Sequence, residues 1–158
     1  MADEGALPRP SPTASTTVSP KLAATAEEAV LIAYKSIYAA GQRAERTPDG
    51  QRKPVLAPYV TEPLLSRMLR GIVALRATGR FTWGSPVVHP FGIKVKGQKA
   101  TLHDCQDNRN TGQMDEKTSK RVLYGSENTH LVATLLLVEG TWKVSTLAHV
   151  RAPCSVGS

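Results

Sequence analysis

The stretch THLVATLLLVEGTWKVSTLAHV, residues 129–150, contains two apolar-rich runs of strand length separated by Glu139-Gly140. Aliphatic and β-branched residues dominate both runs, and the acidic-glycine pair between them is a turn signal. The stretch therefore predicts an antiparallel hairpin. Strict alternation in the closing run puts Trp142, Val144, Thr146, Ala148 and Val150 on one face. Lys143, Ser145, Leu147 and His149 fall on the other. Trp142 begins the run on the more apolar face, so it is expected to anchor the core.

Working back along the chain, the same two-residue period holds as far as Gly79. FTWGSPVVHPFGIKV, 81–95, predicts a strand broken by Pro86 and Pro90, which confine those parts to an edge or a bulge. KGQ makes a turn and KATLHDCQ, 99–106, is the return strand. Alternation there puts Asp104 with Ala100 and Leu102, and His103 with Cys105 on the opposite face. Residues 108–128 are polar, with a weak strand signal around RVLYG.

Before Gly79 the period is helical. TAEE places Thr25 as N-cap with Glu28 three residues on, the capping-box arrangement. Val30, Ala33, Tyr34, Ile37 and Tyr38 recur at helical spacing, which predicts a helix from about 26 to 44. GQRAERTPDGQRKP is a polar loop, and VLAPYV is a helical turn interrupted by Pro58. Thr61 is positioned to cap the next helix, with Pro63 in its first turn. Leu64, Leu65, Met68, Leu69, Ile72, Val73 and Leu75 form its apolar stripe. Gly71 weakens its interior by about 1 kcal/mol, a cost expected to permit a close crossing.

The sequence thus divides into a Pro/Ser/Thr-rich segment over 1–24, one α+β domain over 25–154 and a short tail over 155–158. The first segment has four of the eleven prolines and no apolar period, so it is expected to be a disordered tether. With two Trp, four Tyr and two Phe in 158 residues, the core must be largely aliphatic. The net charge of +7 and a pI near 9.7 suit an anionic partner. The basic residues are nevertheless scattered: Arg43, Arg46, Arg52 and Lys53 around one loop, Arg67, Arg70 and Arg76 on one helix, Lys94, Lys96 and Lys99 at a turn. That predicts weak, nonspecific polyanion binding. No apolar run reaches the length of a membrane span, and MADEGALPRP has neither the basic start nor the apolar core of an export signal. The sequence therefore fits either a cytoplasmic protein or one whose export signal has been removed.

Two helices and a helical turn, followed by a bent antiparallel sheet closing in EGTWKV (139–144), resemble the nuclear transport factor 2-like superfamily. That resemblance covers about residues 25–154 and implies N-terminal helices packed on the concave side of a strongly curved sheet, forming a cone. The combination of ATLHDCQDN, GTWKV and a terminal Pro-Cys further resembles a group of small actinobacterial envelope proteins, secreted or of lipoprotein type and of unassigned role. In these, a cysteine on a middle strand is matched by one after the last strand, which implies a disulfide between Cys105 and Cys154. Two cysteines without metal-type partners fit the same bridge. Two reduced thiols in a cytoplasmic protein are the alternative, and a Cys105 nucleophile beside His103 is a further one.

Superfamily enzymes resembling ketosteroid isomerase place an acid/base carboxylate and a tyrosine inside the cone. The matching candidates are Asp104, Tyr34 and Tyr38, set against a strand-end aspartate and two packing tyrosines. His89, His103, His130 and His149 are single histidines on separate strand segments, so no metal site and no cofactor is expected. The expectation is a non-enzymatic extracytoplasmic binding domain of the envelope, with a protein partner or a small hydrophobic ligand. It includes service as an accessory of a transport or conjugation apparatus. A small isomerase- or cyclase-like enzyme using Asp104 is the alternative.

Overall fold

A computed structural model describes residues 25–156; the expected tether over 1–24 lies outside them. Helix α1 (Ala26–Glu45) starts where the capping box predicts, with Thr25 Oγ1 accepting from the Glu28 N–H at 2.9 Å. A short helix α2 (Lys53–Leu56) and helix α3 (Leu64–Ala77) follow. Thr61 does not cap α3 through its side chain. Glu62 does, its carboxylate accepting from the Ser66 N–H at 2.9 Å and the Ser66 hydroxyl at 2.7 Å.

Among the described residues seven strands form two antiparallel sheets: β1 (Arg80–Gly84), β4 (Thr111–Asp115) and β5 (Arg121–Tyr124) in one, β2 (Pro90–Lys96), β3 (Lys99–Gln106), β6 (Thr129–Val138) and β7 (Thr141–His149) in the other. The predicted broken strand and its return form one bent ribbon. β1 pairs with β4 below the bend and β2 with β3 above it, joined by the Val87–Asp107 bridge. The prolines sit at the bend, where the ladder is thinnest. β4 is missing from the sequence expectation because TGQMD carries no apolar alternation. Gly112 on β4 passes so close to the Leu123 carbonyl that a Cβ there would lie 1.9 Å from its oxygen, so no other residue fits.

The helices cover the concave side of the four-stranded sheet, giving an α+β cone rather than a closed barrel. Val30, Tyr34 and Ile37 of α1 meet Leu102, Ala133, Leu135 and Val144 in one buried cluster. The last strand departs from strict alternation. Thr134 pairs with Thr146 but Leu135 with Val144, leaving Ser145 as an extra residue. Val144 and Ser145 are both buried, and past the bulge Leu147 packs against the core while Ala148 is exposed. The bulged segment is held by the chain between α2 and α3: Val144 N–H donates to the Tyr59 carbonyl and Thr61 N–H to that of Val144.

Trp142 is half-buried at the edge of the core; Trp83, 7 % exposed, is the buried tryptophan, and its Nε1 donates to the Leu123 carbonyl at 3.1 Å. Trp83→Ala should therefore cost about 3–5 kcal/mol in chemical denaturation, and Trp142→Ala no more than about half as much. Gly71 makes no close crossing either, because a Cβ added there meets open space. Gly71→Ala should raise stability by about 0.5–1 kcal/mol, read from the same denaturation midpoints.

Candidate functional site inside the cone

Asp104, fully buried on β3, lies beneath α1, where an isolated polar group would be costly. Its oxygens are both occupied. Oδ2 accepts from the Tyr34 hydroxyl at 2.6 Å and Oδ1 from the His89 N–H at 2.6 Å. With the Tyr34 proton committed to Asp104, the 2.9 Å contact between Tyr34 and Tyr38 is a donation from the Tyr38 hydroxyl. Gln106 Nε2 donates to both phenol oxygens. The structure thus brings together the three candidates Asp104, Tyr34 and Tyr38 and adds Gln106, which the sequence reading passed over. Its signal was available: Gln106 follows Asp104 by two positions on the same strand face.

Burial is the main cause that raises both phenols, the neighbouring tyrosine and the Asp104 hydrogen bond adding to the rise at Tyr34. Tyr38 is pushed up to about 12. Both are neutral hydrogen-bond donors near neutral pH rather than bases.

Tyr38 and Gln106 also border a cavity of about 320 Å³ between α1, α3 and the sheet bend. Its wall includes Ile37, Leu64, Met68 and Leu147, so it is mainly apolar. Glu45 belongs to the rim, but its carboxylate is taken by the Thr82 N–H at 2.8 Å and the Thr82 hydroxyl at 2.5 Å. Among the described residues Gln106 Oε1 has no hydrogen-bond partner. A volume of this size with few polar groups is typical of a small-molecule pocket.

On the outer face of the sheet Cys105 is bonded to Cys154, with Cα atoms 5.8 Å apart. The C-terminal segment runs alongside β6, where Val150 N–H donates to the His130 carbonyl at 2.9 Å. His130 Nδ1 lies 2.7 Å from the Ala152 carbonyl and so carries a proton, which leaves Nε2 to accept from His103 Nδ1 at 2.8 Å. His103 and His130 are therefore not single, as the sequence suggested; they meet diagonally across β3 and β6, with Phe91 stacked on His103. His103 is turned to His130, and the Cys105 sulfur to Cys154. Among the described residues no three His, Cys, Asp or Glu side chains converge as a metal site. Asp107 lies outside the cone, where its hydrogen bonds to Arg109 hold its carboxyl down to about 2.

No protein-family model and no curated protein matches this chain. Among solved structures it is similar to the intermembrane-space region of the chloroplast protein ARC6, with a TM-score of 0.57 at 10% identity, covering 81% of this chain and 98% of that one. That likeness is one of fold. A Streptomyces avermitilis member of the NTF2-like family aligns over 85% of this chain and 100% of its own, with 15% identity and a TM-score of 0.44.

The phenols give a direct test of this geometry. Raised pKa values mean that the unfolded chain loses these protons first, so their contribution to stability is complete below the ordinary tyrosine value near 10. It is lost as pH rises toward 12. Tyrosinate absorbance of the folded protein at pH 11 should therefore be unchanged by Tyr38→Phe. A drop by about a third, one of the three tyrosinates formed while Tyr34 stays neutral, would show Tyr38 titrating normally.

Proposed function

We propose that this chain is a non-catalytic binding domain that works outside the cytoplasm, at the cell envelope, and takes a small ligand into the cone. The observation that carries the binding role is the internal closure of the polar network. Asp104 is fully buried with a protein donor on each oxygen, Glu45 is engaged by Thr82, and Tyr38 keeps its proton at neutral pH. The cavity therefore offers shape, apolar contact and a few polar side chains, among them Gln106, whose Oε1 is a free acceptor, with Gln42 and Asn108. Its ligand is a mainly apolar molecule carrying a hydroxyl or N–H donor. The disulfide supports an oxidising compartment, and the ARC6 region is an instance of this fold in an intermembrane space. Service as an accessory of a transport or conjugation apparatus, on a secreted or lipoprotein-type chain, is the narrower form of the same proposal.

The enzyme alternative draws on the contact of Asp104 with Tyr34 and of Tyr34 with Tyr38. It requires Asp104 to release Tyr34 or His89 before it could move a substrate proton.

Nile red is a suitable neutral probe of the pocket. Wild-type protein should bind it with blue-shifted emission. Gly41→Leu, which places a side chain into the cavity beside Met68, should abolish the signal without lowering the melting midpoint. Unaltered binding in that variant would overturn the assignment of the site. For the compartment, alkylation of native, unreduced protein from its own cells should label neither cysteine; labelling of both would place it in a reducing environment.

A further inference from the structure

The bend where α1 ends contains a second cavity, of about 450 Å³, bordered by Arg46, Arg52, Arg76, Phe81, Glu45 and Glu116. Arg46 and Arg52 come from the polar loop and Arg76 from α3, so folding gathers basic residues that are scattered in sequence. The guanidinium carbons of Arg76 and Arg46 lie 3.6 and 4.2 Å from the Phe81 ring centroid, which holds them at most about 8 Å apart. Arg52 is 8 % exposed and fixed by donation from Nε to the Thr47 carbonyl at 2.9 Å.

The three guanidiniums at this cavity are unequally partnered. Glu45 is occupied by Thr82, and Glu116 accepts from Arg76 at 3.0 Å. Arg52 reaches only the exposed Asp49, at 3.8 Å. Arg46 makes no ion pair among the described residues. Arg76 also donates to the Arg80 carbonyl at 3.0 Å, so Arg46 is the guanidinium at this cavity with no carboxylate partner, and Arg52 has only the distant Asp49. At the end of α1 the Arg43 and Ala44 carbonyls accept from the backbone of Arg46 and Thr47, so neither is left without a donor.

We propose that this cavity is a binding site for a small tetrahedral oxyanion, a phosphate or a phosphate monoester. Planar guanidiniums match such an anion through paired N–H donors. Phe81 orients two of them in advance, which reduces the entropy lost on binding. The site adjoins the cone pocket, sharing Glu45 with its rim, but does not depend on the ligand proposed there.

The test uses inorganic phosphate against chloride at matched ionic strength, read by NMR shifts of Arg46, Arg76 and Phe81. Saturable shifts at these residues are expected, with affinity reduced at least about tenfold in Arg46→Gln. Arg70→Gln, the same charge change at an arginine outside the cavity, should leave affinity unaltered. Flotation with phosphatidic acid vesicles separates the sources: Arg46-dependent capture identifies a lipid headgroup, and its absence alongside phosphate binding identifies a free anion. Absence of phosphate-specific shifts, or equal loss in Arg46→Gln and Arg70→Gln, would overturn the site.

Discussion

A buried carboxylate joins three parts of this protein that are distant in sequence. Asp104 belongs to the central strand β3, Tyr34 to the first helix, and His89 to the bend of the ribbon. One side chain therefore fixes how α1 lies across the sheet and where the ribbon turns. An unpaired aspartate there would cost several kcal/mol, so the arrangement is favourable only with both partners in place. The cone pocket depends on it, because Tyr38 and Gln106 are positioned through Tyr34.

The sheet is shaped by local irregularities rather than by uniform curvature. Pro86 and Pro90 limit pairing at the bend, so β1 and β4 diverge from β2 and β3 and open the space into which Thr82 and Gln106 face. The Ser145 bulge turns Leu147 inward to close the same space from the last strand. On the outer face, the disulfide and the His130–Ala152 hydrogen bond hold the segment after β7 against β3 and β6. The inner face thus carries the pocket, and the outer face its staple.

Much of this was legible in the sequence, for identifiable reasons. Capping chemistry and apolar spacing located α1 and α3, and Asp104 could be assigned inward from alternation with Leu102. What escaped depends on contacts between distant segments. No local signal announces an extra residue at Ser145, because a bulge is fixed by the partner strand and by the Tyr59–Thr61 segment beside it. β4 lacks apolar alternation and exists through pairing with β1 and β5. The His103–His130 contact and the three-arginine cavity likewise arise from register and from packing between elements.

The most direct test of the structural role of Asp104 is a double-mutant cycle of Asp104→Asn and Tyr34→Phe, measured by chemical denaturation with Nile red binding followed in parallel. A structural role predicts that Asp104→Asn loses about 1.5–3 kcal/mol, that the pair is coupled by about 1 kcal/mol or more, and that the folded variant still binds the probe. Asp104→Asn with stability within about 0.5 kcal/mol of wild type and no coupling to Tyr34 would contradict it, and would show a carboxylate that the fold leaves free.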